Sequence, residues 1–443
     1  MNPESGAVIL RRTESLCPEC LARIPAQIEI QGDDAVLAKT CPEHGEFRTV
    51  VWRGRPRLVD WSRPKIPSRP TRPATRVDRG CPFDCGLCPE HGQHTCTALL
   101  EITERCDLGC PVCFAESGSS GLPDPNLETV AMWFDRVMEA SGPCNIQISG
   151  GEPTMRPDLE AIVAMGRERG FGLLQLNTNG LRLAADSDLA GRLREAGLDS
   201  IFLQFDGQDE GVQRRIRGRD LRTEKAKAVE NAIRAGLGVV LVPTVVQGLN
   251  DGLLWDMIRF ALEAGEGVRG VHFQPMSHFG RVPPELAGIE RLTLPELMTG
   301  LEEQSQGQIR IEDFAPPGCE HSMCSFHAVY VRDGRTGLGR RSGSRTACCQ
   351  APRPAAEGAD RSKAFTARQW SAPETGAGDG FALIRNRIFS ISAMAFQDAW
   401  TLDLERLQGC CIHVVAPDGR LVPFCAWNLT SVRGQALYRG RQG

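Results

Sequence analysis

No run of about 18 consecutive apolar residues occurs in the 443-residue chain, so no membrane-spanning helix is expected. Neither sign of charge prevails. Lys and Arg total 51 against 55 Asp and Glu, which argues against nucleic acid held by bulk positive charge and against a polybasic membrane anchor. The first residues, MNPESGAVIL, carry no basic segment ahead of their short apolar stretch, so no secretory signal is read there. Compositional signs of disorder or of a fibrous repeat are missing as well: 41% hydrophobic and 24% charged residues match ordinary globular usage. At ~100–200 residues per domain, the length admits two to four domains.

Cysteine is what the chain does have. Its 18 cysteines are too few for a small disulfide scaffold and many for a cytosolic enzyme. They fall in groups: Cys17, Cys20, Cys41; Cys81, Cys85, Cys88, Cys96; Cys106, Cys110, Cys113; Cys319, Cys324; Cys348, Cys349; Cys410, Cys411, Cys425. Only Cys144 stands alone, and it reads as a small buried residue. With no export signal, gaps of two and three residues favour metal thiolates over disulfides. Buried or redox-protective thiols would not account for the repeated spacing.

Residues 1–52 carry two knuckles, Cys17-Pro-Glu-Cys20 and Cys41-Pro-Glu-His44, around the alternating stretches IPAQIEI and DAVLAK, which predict a β-hairpin. Residues 53–80, with five prolines and eight arginines, read as an extended tether without chemistry of its own. A short segment, 81–96, holds four cysteines. From residue 97 a βα rhythm begins, with strand-like segments at 97–103, 145–149, 172–177, 200–205, 238–245 and 270–275. Helical spacing lies between them, as in LEAIVAMGRERG and LLWDMIRFALEAG. Six such units predict an α/β fold, a partial (β/α)6 TIM-like barrel over 97–310 with its site at the strand C-terminal ends. Residues 311–443 form a C-terminal extension in which 333–380 reads as disordered or as a long irregular insertion. Near the end, IHVV and LVPF flank a Pro-Asp-Gly turn and predict a hairpin.

The strongest chemical signal is Cys106-Asp-Leu-Gly-Cys110-Pro-Val-Cys113, placed directly after the first strand of the rhythm. Three thiolates in one tight loop can hold three irons of a cubane and leave the fourth iron open to an exogenous ligand. A structural zinc site would want a fourth protein ligand. Gly150-Gly151-Glu152-Pro153 follows the next strand, where glycines let backbone groups approach a ligand closely. Together these motifs resemble the radical SAM superfamily over about residues 97–305. The resemblance implies a [4Fe-4S] cluster on Cys106, Cys110 and Cys113 whose open iron binds S-adenosylmethionine and cleaves it to a 5′-deoxyadenosyl radical. It places Phe114 near the adenine and Gly150, Gly151, Glu152 and Pro153 at the methionine amino group. It also implies contacts to ribose, carboxylate or substrate from Asn177, Gln204, Asp206 and Thr244. At the sixth strand end, Gln274, His278 and Arg281 are candidates for bonding a substrate ring.

Cys81, Cys85, Cys88 and Cys96 offer four ligands for a coordinatively closed auxiliary [4Fe-4S] cluster, suited to electron transfer or support of the fold. Cys17, Cys20, Cys41 and His44 suit one tetrahedral iron or zinc. Cys319 and Cys324 with Cys411 (or Cys410) and Cys425 are the candidate ligands of a second auxiliary cluster. Cys348 and Cys349 read as free thiols. The stretch GCPFDCGLCPEHGQHTC, with CPEC and CPEHG before it and FQDAW and PFCAWN after it, resembles one radical SAM subgroup. That subgroup contains tetraether-lipid synthase and 7,8-dihydro-6-hydroxymethylpterin dimethyltransferase, and the match spans most of the chain except 53–76 and 333–380. It implies three iron–sulfur clusters, one mononuclear metal, hydrogen abstraction from unreactive carbon and new carbon–carbon bonds.

Three functions follow from these observations. A lipid-joining radical SAM enzyme calls for a long apolar tunnel, and a methyltransferase acting on a pterin or similar heterocycle calls for a short polar pocket. A non-catalytic iron–sulfur electron carrier or scaffold calls for full protein ligation of every cluster, which the three-cysteine loop opposes. The expected partners are a small-molecule or lipid substrate and a low-potential donor of ferredoxin or flavodoxin type. No nucleic acid is expected, and membrane contact is expected to be peripheral and only with a lipid substrate. Oxygen-sensitive clusters place the chain in a reducing cytoplasm.

Overall fold

The computed structural model describes residues 7–70, 73–118, 121, 123–334, 337–340, 352–372 and 386–440. At its centre lie six parallel strands in sequential order: Thr97–Glu101, Asn145–Ser149, Leu173–Thr178, Ser200–Gln204, Gly238–Val242 and Val268–Pro275. Each is hydrogen-bonded to the next. Helices on the outer side cover the sheet, so both its faces are buried and its strands read as unbroken apolar runs. In Gly238–Val242 every residue is buried.

The crossover helices are set by local chemistry. Leu127–Ser141 starts after Asn126, whose side chain caps it by accepting from Thr129 N at 2.8 Å. Its apolar face buries Val130, Trp133, Phe134 and Val137 against the sheet, and each such side chain contributes about 1.5–3 kcal/mol.

The architecture is a partial TIM-like barrel, and the C-terminal region enlarges it beyond six strands. Ile388–Met394 joins one edge, parallel to Val268–Pro275, and Ile412–Val415 joins the other, parallel to Thr97–Glu101. Ser325–Asp333 and Leu421–Pro423 add antiparallel partners outside them. The last pair is the hairpin around the Pro-Asp-Gly turn, with His413 opposite Pro423. These strands escape a six-unit reading because long irregular sequence separates them from the βα rhythm.

The reading of 333–380 as wholly irregular is also corrected. Ala355–Trp370 is a 16-residue helix that buries Ala355, Ala359 and Gln369. Its alanine-rich face shows little hydrophobic contrast, so periodicity alone does not reveal it. Cys348 and Cys349 lie outside the described residues.

The N-terminal residues form a four-stranded antiparallel sheet, Val8–Leu16, Arg23–Gln31, Asp34–Cys41 and Gly45–Trp52, in sequential order. The predicted hairpin is its middle pair. The buried Lys39 ammonium docks this sheet on the C-terminal region, donating to Leu16 O at 2.9 Å and Ala399 O at 2.7 Å. The arginine-rich tether runs from it across the C-terminal region. Trp61 Nε1 donates to Ser322 O at 2.8 Å, and Lys65–Ile66 pairs in parallel with Arg353–Pro354. Among the described residues no helix is long and apolar enough to cross a membrane.

Candidate functional site

The loop 102–118 leaves the first barrel strand and is pinned by backbone bonds on both sides. Cys113 and Arg281 exchange N–H···O bonds at 2.9 and 3.0 Å, Val112 N donates to Ile216 O at 3.2 Å, and Arg281 Nε donates to Cys110 O at 2.8 Å. Cys106, Cys110 and Cys113 line a cavity of about 270 Å³, and no fourth cysteine lines it among the described residues. Burial pushes the Cys106 thiol up to about 12 and raises Cys110. Metal binding therefore has to displace protons from both. Three converging thiols beside an open cavity fit a cubane that keeps one iron for an external ligand.

Gly150 and Gly151 line the same cavity. A Cβ at Gly150 would overlap the Thr103 carbonyl oxygen, and one at Gly151 the Arg105 carbonyl oxygen. The backbone crosses this tightly because Gly151 N donates to Thr103 O and Glu152 N to Arg105 O, both at 2.8 Å. The diglycine thus fastens the cysteine loop to the second strand end and leaves its own backbone facing the cavity.

Not every candidate faces that space. Phe114, Asn177, Gln204 and Thr244 line the cavity, with Gln274 and Arg281. Glu152 is fully buried behind it. Its carboxylate accepts from Thr154 Oγ1 (2.6 Å), Thr178 Oγ1 (2.7 Å) and Asn179 N (2.7 Å), and so holds the third strand end. Pro153 opens the short turn Pro153–Met155 and is buried with it. Asp206 is fully buried too. It pairs with Arg217 at 2.7 and 3.0 Å and accepts from Thr244 N at 2.9 Å. His278 lies apart from the cavity, its Nδ1 3.0 Å from Arg291 Nη2.

Arg217 and Lys225 escape the sequence reading. Arg217 lines the cavity beside Cys110, and its proximity to Asp206 and the Cys110 sulfur favours its charged form against the cost of burial. Lys225 is a fully buried ammonium that donates to Gln204 Oε1 at 2.6 Å, and burial lowers its pKa to about 8. Both lie on helices rich in exposed arginine and lysine, where no motif separates an inward cation from its solvated neighbours.

The N-terminal knuckles meet as expected. The ligand atoms of Cys17, Cys20, Cys41 and His44 all lie within 4.8 Å of one another, which fits one tetrahedral ion with ~2.3 Å metal–sulfur bonds. His44 lowers the Cys41 thiol to about 6, and burial raises Cys17 to about 11. Cys20→Ala is expected to cut the iron or zinc content found by elemental analysis and to lower the melting temperature, since a structural metal contributes folding free energy directly.

The auxiliary cysteines are sorted differently from the spacing-based sets. Cys81, Cys85 and Cys88 stay together, with Cys85 N donating to the Tyr438 hydroxyl at 2.9 Å. Cys96 leaves them and joins Cys319 and Cys411. Cys96 and Cys319 are in disulfide contact with their Cα atoms 7.2 Å apart. Cys324, Cys410 and Cys425 gather with Cys411 around a small cavity beside Arg406, whose Nη2 lies 3.3 Å from Cys324 Sγ. Cys411 therefore borders both groups and Cys410 only the second, which adjacency in sequence conceals. Cys144 is buried.

Residues 9–53 match the HMPTM N-terminal zinc ribbon domain, and residues 100–261 match the radical SAM superfamily. A 7,8-dihydro-6-hydroxymethylpterin dimethyltransferase of Methanocaldococcus jannaschii is 33% identical, over 94% of this chain and 93% of that protein. A GTP 3′,8-cyclase of Sulfurovum is 27% identical over 42% of this chain and 58% of its own length. Streptococcus suis SuiB bound to its precursor peptide SuiA superposes with a TM-score of 0.39 at 14% identity, covering 49% of this chain and 46% of that one. The full-length identity, together with a three-cysteine loop facing an open cavity beside a diglycine backbone, makes this chain a radical SAM enzyme of the 7,8-dihydro-6-hydroxymethylpterin dimethyltransferase family.

Proposed function

We propose that the enzyme transfers methyl groups to carbon on a compact nitrogen heterocycle of the reduced pterin class, each methyl coming from a donor molecule other than the S-adenosylmethionine split to make the radical. One observation carries this reading. The cavity that gathers the three cysteines also holds the uncommitted carboxamide of Gln274 at the sixth strand end, together with the rings of Phe202, Phe279 and Phe396. Carboxamides offer both a donor and an acceptor to the edge of a heterocycle. The 33% identical relative, named as a dimethyltransferase of such a pterin, supports it.

Cys106, Cys110 and Cys113 would hold a [4Fe-4S] cluster, which together with S-adenosylmethionine would supply a 5′-deoxyadenosyl radical able to take hydrogen from an unreactive carbon. The chain's own residues make that chemistry selective. The backbone of Gly150 and Gly151, the polar groups of Asn177, Gln204 and Thr244, and the ring of Phe114 form the binding surface for the cosubstrate. Asp206 fixes Arg217 and the Thr244 backbone, so the cation next to Cys110 cannot swing into solvent. Phe279, Phe396 and Phe424 pack together, with ring centroids of 6.4 Å for Phe279–Phe424 and 4.4 Å for Phe396–Phe424, and keep water from the reacting centre. His272 holds its ring by an Nδ1 contact of 2.8 Å to Ser392 Oγ.

The lipid-joining alternative calls for a long apolar wall. The space continuing from this cavity has a mixed wall, in which Ser325, His327, Ser392 and Glu320 stand among Phe326, Phe365, Trp370 and Met394, so an alkyl chain there would bury polar groups. The test is anaerobic turnover of the reconstituted enzyme with dithionite, S-adenosylmethionine and 7,8-dihydro-6-hydroxymethylpterin. The expected product is the pterin heavier by one or two methyl groups. Release of 5′-deoxyadenosine with the pterin unchanged would overturn the substrate class.

A further inference from the structure

A second cavity, of about 530 Å³, adjoins the first, and His272, Glu320, Thr366, Trp370 and Met394 line both. These five side chains form a neck between a near lobe at the cysteine loop and a far lobe. The far lobe is walled by two segments that carried no chemistry in the sequence, the tether around Arg63–Lys65 and the helix Ala355–Trp370 with the Arg353–Pro354 pair ahead of it.

The polar groups of this lobe are unspent. Ser325 is 4% exposed, and neither its Oγ nor His327 Nδ1 has a hydrogen-bond partner, although both residues line the lobe. At the neck, Glu320 Oε2 is likewise buried without a partner. Buried polar atoms are ordinarily paired, so three in one compartment point to a ligand that completes them. The charge is lopsided as well. Arg63, Lys65, Arg353 and Arg361 line the far lobe, and Glu320 is the one carboxylate among the described lining residues. Arg361 is engaged by Glu357 at 3.4 Å. Arg63 donates to the backbone carbonyls of Asp60, Trp61 and Ser62, and Lys65 to those of Cys319 and Glu320, so neither forms a direct ion pair, although the Glu320 carboxylate acts on Lys65 from nearby.

We propose that the far lobe is a second binding subsite, which takes an anionic end of the substrate, phosphate or carboxylate, against Arg63, Lys65 and Arg353. Guanidinium groups suit either anion through paired N–H donors. Glu320 at the neck accepts from an N–H of the ring, and Ser325 and His327 complete the polar wall. The substrate then spans both lobes, with its reacting carbon at the cysteine loop and its charge beyond Trp370. This subsite rests on the heterocycle reading only for what fills the near lobe.

The test is calorimetric titration of the anaerobically reconstituted holoenzyme with four probes: 7,8-dihydro-6-hydroxymethylpterin, its diphosphate ester, 7,8-dihydropteroate and inorganic pyrophosphate. At least one anionic pterin is expected to bind about tenfold or more tighter than the neutral one, and which of the two gains identifies phosphate or carboxylate. The double variant Arg63→Gln/Arg353→Gln, whose folding is checked by its melting temperature and circular dichroism, is expected to lose that gain and keep its affinity for the neutral pterin. Added salt is expected to weaken only the anionic ligands, because the rim is exposed. Equal affinity for neutral and anionic pterins, or a gain that survives the double variant, overturns the subsite and leaves the heterocycle reading standing. Pyrophosphate binding that the double variant abolishes, with no pterin bound, keeps the subsite and overturns the heterocycle reading. No binding of any probe overturns both.

Discussion

Cys110→Ala is expected to reduce 5′-deoxyadenosine release to background in protein reconstituted with iron and sulfide and assayed with dithionite and S-adenosylmethionine. The substitution removes a ligand without dismantling the loop that carries it. Val112 N bonds Ile216 O, Cys113 pairs with Arg281 through both backbone groups, and Arg281 Nε holds the Cys110 carbonyl, so the backbone path survives the loss of one sulfur. A cubane held by this loop, in contrast, would lose one of its three protein thiolates. Cys85→Ala provides the comparison, because Cys85 lies with Cys81 and Cys88 and does not line the catalytic cavity. It is expected to retain measurable cleavage. The reverse outcome, full cleavage in Cys110→Ala and none in Cys85→Ala, would exchange the roles of the two triads.

The second large effect concerns Asp206. Its carboxylate is fully buried and forms a two-pronged pair with Arg217, which is itself only 8% exposed. Asp206→Ala strands a buried guanidinium, a loss of about 3–5 kcal/mol for breaking such a pair from one side. It also frees Thr244 N and the cation beside Cys110, so affinity for S-adenosylmethionine is expected to fall with stability. Denaturant unfolding measures the first effect and equilibrium binding the second. The double variant Asp206→Ala/Arg217→Met is expected to recover much of the stability, because it removes the orphaned charge, and to leave cosubstrate binding impaired. If Asp206→Ala unfolds at the same denaturant concentration as wild type, the pair is not the clamp described here.

Much of the barrel was legible because its chemistry is local. The strands from Thr97 to Pro275 alternate with helices at regular spacing, and the cysteine loop and diglycine sit at consecutive strand ends. The N-terminal ligands were legible for the same reason, each knuckle being a tight turn. What spacing could not show is what long-range folding decides. Cys96 lies eight residues after Cys88 but joins Cys319 and Cys411, because the pairing of Thr97–Glu101 with Ile412–Val415 brings Cys411 alongside it, and Cys411 borders both cysteine groups while Cys410 borders one. Glu152 and Asp206 belong to strand-end motifs, yet their carboxylates turn inward as braces for other loops. Arg217 and Lys225 gave no pattern at all, since burial of a cation is a property of the assembled sheet.

The diglycine has a practical corollary for anyone altering substrate scope. Since even a methyl group at Gly150 or Gly151 would collide with the main chain that presents the iron ligands, diversification there trades directly against cluster assembly. The ring of residues between the two compartments, Thr366, Trp370 and Met394, carries no such penalty, and a library aimed at new acceptors belongs there.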